Sequence, residues 1–229
     1  MKAAIFDLDN TLYPESQFVE GGFRAAASHL AARHDVPTAE AYECFVAALK
    51  EGGRCGVFDR AVARLGVSCD PLSLVYAYRT HAPNLALFPD AIQALAALRD
   101  GDWMLAVLTD GMGSVQRRKL AALGLDACVP PVLEAIVVTD EIGPGAAKPA
   151  RLGFDLALDL LGVRPLDAAY VGDDAAKDFL APNDMGMLTI MIERDVRWPY
   201  SGTAPTAQYE ARHVVSNLLE AASILGRHS

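Results

Sequence analysis

The sequence predicts an α/β protein built on an open parallel sheet. Two observations carry this. Short apolar runs recur along the chain, each ending in polar or small residues: "KAAIF" before Asp7, "MLAVL" before Thr109, "AIVV" before Thr139 and "AAYV" before Gly172. Between most of them lie segments with helical spacing. Runs apolar on both faces suit a sheet covered by helices on both sides, and strands alternating with helices give a parallel order.

The elements follow in order. "KAAIF" is the first strand. "FPDAIQALAALRDG" reads as a helix with Pro89 in its first turn, a face of Ile92, Leu95, Ala96 and Leu98, and Gly101 beyond its end. "MLAVL" is the next strand, followed by the helix "SVQRRKLAALGL", which closes near Gly124. "AIVV", the helix "ARLGFDLALDLLGV" closing at Gly162, "AAYV" and "LTIMI" at 188–192 continue the alternation. "HVV" at 213–215 is a weak edge strand.

One stretch departs from this rhythm. From Glu15 to Asn84 the chain shows helical periodicity without a convincing strand, in alanine-rich segments such as "FRAAASHLAARH" and "AEAYECFVAAL". Residues 15–84 are expected to form a four-helix cap inserted after the first strand, with residues 1–14 and 85–229 forming the α/β core. The alternative is a set of ordinary helices within one domain.

The chain has 229 residues, with 52% hydrophobic and 21% charged, as in a globular protein with a substantial buried core. Its net charge of −9 disfavours nucleic acid and anionic membranes as partners. Cys44, Cys55, Cys69 and Cys128 show no metal-binding spacing and read as idle thiols of a reducing cytoplasm. Asp7 and Asp9 interrupt any apolar leader, and no apolar run reaches membrane-spanning length.

Four clusters fall where strands end or where a loop returns to the same rim: Asp7/Asp9/Thr11, Thr109/Asp110/Gly111, Lys148/Pro149 and Gly172/Asp173/Asp174/Asp178. In a parallel sheet the carboxyl ends share one edge, so these clusters can converge. Taken singly, each has a bland account as a turn, a helix cap or a solvated lysine. Together they put several carboxylates on one rim, an unfavourable arrangement unless a cation neutralises them or some groups protonate. Oxygen ligands suit a hard ion such as Mg²⁺, and the absence of histidine and cysteine from the clusters disfavours zinc.

In motif order and spacing the chain resembles the haloacid dehalogenase superfamily. "FDLDNTL" is similar to its first motif, "VLTDG" to its second, the lysine of "AAKP" to its third and "VGDDAAKD" to its fourth. The resemblance implies a Rossmann-like core with a helical cap, and a Mg²⁺-dependent phosphatase acting on a small phosphorylated metabolite, with a nucleotide or sugar monophosphate as the expected substrate. By resemblance Asp7 is the nucleophile that forms an aspartyl-phosphate, and Asp9 protonates the leaving oxygen and then activates water. The Asp9 carbonyl, Asp7 and Asp173 would ligate the metal. Thr109, Asp110, Gly111 and Lys148 would hold the phosphoryl group, with Thr11, Asp174 and Asp178 supporting from behind.

Asp110 stands where relatives often carry Asn; it either adds an acid to the phosphate pocket or turns outward. Glu15, Gln17 and Arg24 either meet the leaving group or are solvated helix residues. Arg197, Trp198 and Tyr200 lie in a long irregular connection and either touch a ligand or pack as a surface loop. By the same resemblance, dehalogenases lack an acid at position 9, so Asp9 favours phosphoryl transfer over dehalogenation. A phosphosugar mutase and a binding protein that has lost turnover are the alternatives.

Overall fold

The computed structural model describes residues 2–126, 132–194 and 202–227. The chain divides into two compact units: Met1–Glu15 with Leu85–Ser229, and Ser16–Asn84. Glu15 falls in the first unit.

The first unit holds a six-stranded sheet in the order β3-β2-β1-β4-β5-β6, every pair parallel. The strands are β1 (Lys2–Phe6), β2 (Trp103–Thr109), β3 (Ala135–Val138), β4 (Ala168–Gly172), β5 (Leu188–Ile192) and β6 (His213–Val215). All six match apolar runs in the sequence. Strand order reverses at β1, which is flanked by β2 on one side and β4 on the other, and a crevice opens outside the carboxyl ends at such a point.

Side chains alternate across the sheet. Ala3 and Ile5 of β1, Leu108 of β2, Val137 of β3 and Tyr170 of β4 join one buried cluster with Phe154, Leu158 and Leu161 of α8 (Leu152–Leu161). Helix α5 (Pro89–Asp100) packs on β2 and on α10 (Leu218–Arg227). Its buried stripe is Ala91, Ala94, Leu95 and Leu98, an i, i+3, i+4, i+7 pattern. This corrects the expected face: Leu95 and Leu98 are buried as expected, but Ile92 is 57% exposed and Ala96 is exposed, because the stripe through Leu95 and Leu98 continues over Ala91 and Ala94. The unit is completed by α6 (Gly113–Ala122) and two very short helices, α7 (Thr139–Ile142) and α9 (Leu180–Asp184).

The second unit contains α1 (Ser16–Ala31), α2 (Thr38–Gly52), α3 (Val57–Leu65) and α4 (Pro71–Thr80). Phe18, Phe23, Ala26, Ala27 and Leu30 make the buried stripe of α1. Phe23 meets Phe45 of α2, Phe58 of α3 and Tyr78 of α4 with ring centroids 5.7–5.9 Å apart, which supplies an aromatic core in an otherwise alanine-rich unit. Helix α4 starts with an Asp70 cap that accepts from the Leu72 N–H and a proline at its first position. Among the described residues no helix is long and apolar enough to cross a membrane.

Candidate active site

The carboxyl ends of β1 and β4 bring the first acids together. Asp7 follows β1 directly, and its N–H donates to the Val171 carbonyl at 2.8 Å, fixing the two strand ends side by side. Lys148 reaches this point from the loop before α8. Its Nζ donates to Asp7 Oδ1 at 2.7 Å, Asp178 Oδ1 at 2.7 Å and the Tyr170 hydroxyl at 2.9 Å, committing all three of its protons. Asp7, Lys148, Asp173 and Asp178 are all buried, with Asp178 fully so.

Asp7, Asp173 and Asp178 each place one carboxylate oxygen within 4.8 Å of the others. Burial, then the neighbouring Asp7 and Asp178 charges, push Asp173 up to about 8. Burial likewise raises Asp7 to about 6, although Lys148 pulls the other way. Burial alone would raise Asp178 too, but Lys148 and Lys177 outweigh it and hold the group below the usual carboxylate range. For Lys148, the Asp178 and Asp7 charges overcome the burial penalty and keep it firmly protonated. Fully ionised, the three carboxylates would outweigh the charge of Lys148, and the raised values of Asp7 and Asp173 are the response to that crowding when no cation is bound. An all-oxygen set with uncompensated charge fits a hard divalent cation, and Asp7, Asp173 and Asp178 are the side chains that would hold one.

The sequence places Asp178 behind the metal, whereas the structure brings it into the carboxylate group as well as onto Lys148. Its other oxygen accepts from the Asp174 N–H at 2.9 Å. Gly172 permits this approach, since a Cβ there would overlap the Asp178 carboxylate.

The Asp9 side chain lies outside the group. It accepts from Lys119 Nζ at 2.7 and 2.9 Å, from Gln116 Nε2 at 3.1 Å and from the Tyr13 hydroxyl at 2.5 Å. Burial would raise its pKa, but the Lys119 charge and these hydrogen bonds prevail and lower it. Gln116 Nε2 also donates to Thr109 Oγ1 at 2.6 Å, so Thr109 and Asp9 share one amide. Thr11 is fully buried and its carbonyl accepts from Arg194 Nη2 at 3.1 Å. Its tie to the fold runs through that carbonyl, as the hydroxyl has no partner among the described residues.

Asp110 turns inward. Its Oδ1 accepts from Thr139 Oγ1 at 2.8 Å and from the Lys148 N–H at 3.1 Å, joining the loop after β2 to the loop that carries Lys148. Gly111 follows at φ 119°, a conformation suited to glycine. Lys177 lies 3.8 Å from Asp110 and 3.9 Å from Asp174 and is partly exposed. Asp174 accepts from the N–H groups of Ala176 and Gly202, an anchoring role that the sequence leaves open.

Of the cap candidates, the Glu15 N–H donates to Asn10 Oδ1 at 3.1 Å and Glu15 is buried. Gln17 and Arg24 lie on α1 in the second unit, where Arg24 stacks 5.0 Å above the Tyr42 ring. Arg197, Trp198, Tyr200 and Cys128 lie outside the described residues.

Gln116, Lys119, Tyr13, Tyr170, Lys177 and Arg194 are absent from the sequence-derived site. Two signals were available. Gln116 and Lys119 share the buried stripe of α6 with Val115 and Leu120, so two polar residues stand on an apolar helix face. Tyr170 places a hydroxyl in the middle of a buried strand, where it needs a partner.

The model of the haloacid dehalogenase-like hydrolases matches residues 1–186. The chain is 34% identical over 203 residues to a glyceraldehyde 3-phosphate phosphatase of Methanopyrus kandleri, covering 85% of this chain and 84% of that protein. It is 31% identical over 236 residues to a ribulose-1,5-bisphosphate 5-phosphatase of Halopiger xanaduensis, covering 95% and 96%. Among solved structures, a HAD phosphatase from Thermococcus onnurineus superposes with a TM-score of 0.65 at 25% identity, covering 99% of this chain and 98% of that one. With its four motif clusters gathered on one sheet edge and a family match over most of its length, the chain belongs to the haloacid dehalogenase superfamily, as a hydrolase of the phosphatase type.

Proposed function

We propose that the protein is a Mg²⁺-dependent phosphatase that hydrolyses a small phosphorylated metabolite through an aspartyl-phosphate on Asp7. The observation that carries this reading is the buried Asp7 carboxylate, with one oxygen fixed by Lys148 and the oxygens of Asp173 and Asp178 within 4.8 Å. A bound Mg²⁺ would neutralise charge on the transferring phosphoryl group and on the carboxylates that surround it.

Lys148 restrains Asp7 so that its free oxygen faces an incoming phosphorus, and it supplies fixed positive charge to a dry site. Thr109 and the amides of Asp110 and Gly111 receive the phosphoryl oxygens. Asp9, held two residues beyond the nucleophile by Lys119 and Gln116, takes up a proton from solvent as the substrate anion binds and passes it to the leaving oxygen. It later takes a proton from the hydrolytic water, help worth roughly 10²–10⁴-fold. The four-helix unit of Ser16–Asn84 serves as a cap that recognises the leaving group.

The relatives act, by name, on glyceraldehyde 3-phosphate and ribulose 1,5-bisphosphate. Short sugar phosphates are therefore the substrates proposed first, ahead of nucleotide monophosphates. The test is a screen of phosphorylated metabolites with purified protein, with Mg²⁺ and with EDTA. Release of phosphate from a triose or pentose phosphate, lost in EDTA and in Asp7→Asn, is the expected result. Turnover that is unchanged in EDTA or that survives Asp7→Asn overturns the mechanism.

A further inference from the structure

Helix α6 buries two polar side chains on the face that also carries Val115 and Leu120: Gln116 is 2% and Lys119 4% exposed. A buried ammonium and a buried amide persist on such a face only when their donors are satisfied. Here both are spent on Asp9 and Thr109. The ionised Asp9 carboxylate can only accept, so the amide nitrogen of Gln116, and not its oxygen, faces it. That nitrogen has two hydrogens and two acceptors, Asp9 Oδ2 at 3.1 Å and Thr109 Oγ1 at 2.6 Å. With Oγ1 already accepting, the Thr109 hydroxyl hydrogen is left to donate elsewhere.

We propose that Gln116 and Lys119 are positioning residues of this active site. From one face of α6 they fix the Asp9 carboxylate apart from the Asp7–Asp173–Asp178 oxygens, and Gln116 frees the Thr109 hydroxyl proton for the phosphoryl group. The assignment rests on the function proposed above. It addresses a geometric hazard of that function: Asp9 is only two residues from Asp7, close enough for an untethered carboxylate to swing onto a cation held by the other three. Lys119 grips both Asp9 oxygens, and Gln116 and Tyr13 each add a further hydrogen bond. In the proposed mechanism the leaving oxygen must come to a carboxylate held this way, and a displacement of about 1 Å at such a group can cost on the order of 10²-fold in rate.

The test compares kcat/KM for an alkyl phosphate, whose leaving oxygen needs a proton, with that for 4-nitrophenyl phosphate, whose leaving group needs little help. The variants are Gln116→Leu, Lys119→Met and Asp9→Asn, together with the double variant Gln116→Leu/Asp9→Asn. Positioning predicts that Gln116→Leu and Lys119→Met lose at least tenfold more on the alkyl ester than on the aryl ester. Asp9→Asn should show the same selectivity, and Gln116→Leu should add less than threefold to the alkyl-ester loss once Asp9 is gone. Equal losses on both esters, or an undiminished effect in the Asp9→Asn background, overturn the proposal. Lys119→Met strands a buried carboxylate and can cost the fold; Gln116→Leu keeps the charge balance and decides the question alone. Wild-type hydrolysis of 4-nitrophenyl phosphate, with and without Mg²⁺ and in Asp7→Asn, is measured first. Failure there counts against the proposed mechanism, whereas failure of the ester selectivity alone counts against Gln116 and Lys119.

Discussion

Lys148 Nζ sits equidistant, at 2.7 Å, from Asp7 Oδ1 and Asp178 Oδ1, with both carboxylates and the ammonium buried. Removing the lysine leaves three neighbouring carboxylates without their shared cation. Breaking a buried pair from one side costs about 3–5 kcal/mol, and losing one fixed electrostatic contact to a transition state costs about 10²–10³ in kcat. Lys148→Met should therefore lower kcat by at least about 10² and destabilise the metal-free protein by about 3 kcal/mol, measured by steady-state assay and urea unfolding. Lys148→Arg should recover the charge but little activity, because a planar guanidinium cannot reach three acceptors arranged around one nitrogen.

Tyr170 supports that lysine from below. Its hydroxyl accepts from Lys148 at 2.9 Å and donates to Asp178 Oδ1 at 3.2 Å, while its ring packs on Phe154 with centroids 4.9 Å apart. Tyr170→Phe keeps the packing and removes the hydroxyl, so a loss of about 1–2 kcal/mol in stability and less than about tenfold in kcat is expected. Tyr170→Leu should cost more in both, since the ring contact goes as well. Equal effects of the two substitutions in unfolding and turnover measurements would assign the whole role to the hydroxyl.

The parts of this architecture legible in the sequence are those set by local pattern. Strands β1, β2, β4 and β5 announce themselves because a central parallel strand is apolar on both faces, and Asp7, Thr109 and Asp173 are placed by lying at or just after strand ends. Helices α7 and α9, of four and five residues, are too short to show a period. Partners far apart in sequence are harder. Lys119 meets Asp9 across 110 residues and Arg194 meets Thr11 across 183, contacts decided by sheet order and not by any local spacing. Lys148 stands in one of the four rim clusters, but its role rests on the family resemblance, because a lysine before a proline carries no local sign of burial.

Asp110 offers a prediction about binding rather than turnover. Its Oδ1 accepts two hydrogen bonds, from Thr139 and from the Lys148 N–H, and an asparagine Oδ1 can accept the same two. Asp110→Asn should therefore keep the loop, remove a negative charge beside the proposed phosphoryl site and release Lys177, 3.8 Å away, to face the substrate anion. Both changes act in one direction, so KM for a phosphate ester should fall about threefold to tenfold, with kcat changed less. Asp110→Ala loses the two hydrogen bonds and should reduce kcat instead. A raised KM in Asp110→Asn would contradict this charge assignment.

The carboxylate group also links metal binding to pH. In the metal-free protein Asp173 titrates near 8 and Asp7 near 6, both above the ordinary value of 3.8. Between about pH 4 and 8 the folded chain thus holds more protons at these two sites than the unfolded chain. The linkage relation then makes their contribution to stability fall as pH rises through that window. Asp9 and Asp178, whose values are lowered, act on the acid side: their stabilisation is present above the ordinary carboxylate range and is lost as pH falls through it. Mg²⁺ requires ionised oxygens, so its binding should release protons near pH 7 and tighten from pH 6 to 8.5. Thermal melts in EDTA should show a melting temperature that declines from pH 5.5 to 8.5, while the increment produced by saturating Mg²⁺ grows over the same range. An increment independent of pH would mean that Asp7 and Asp173 do not take up the ion.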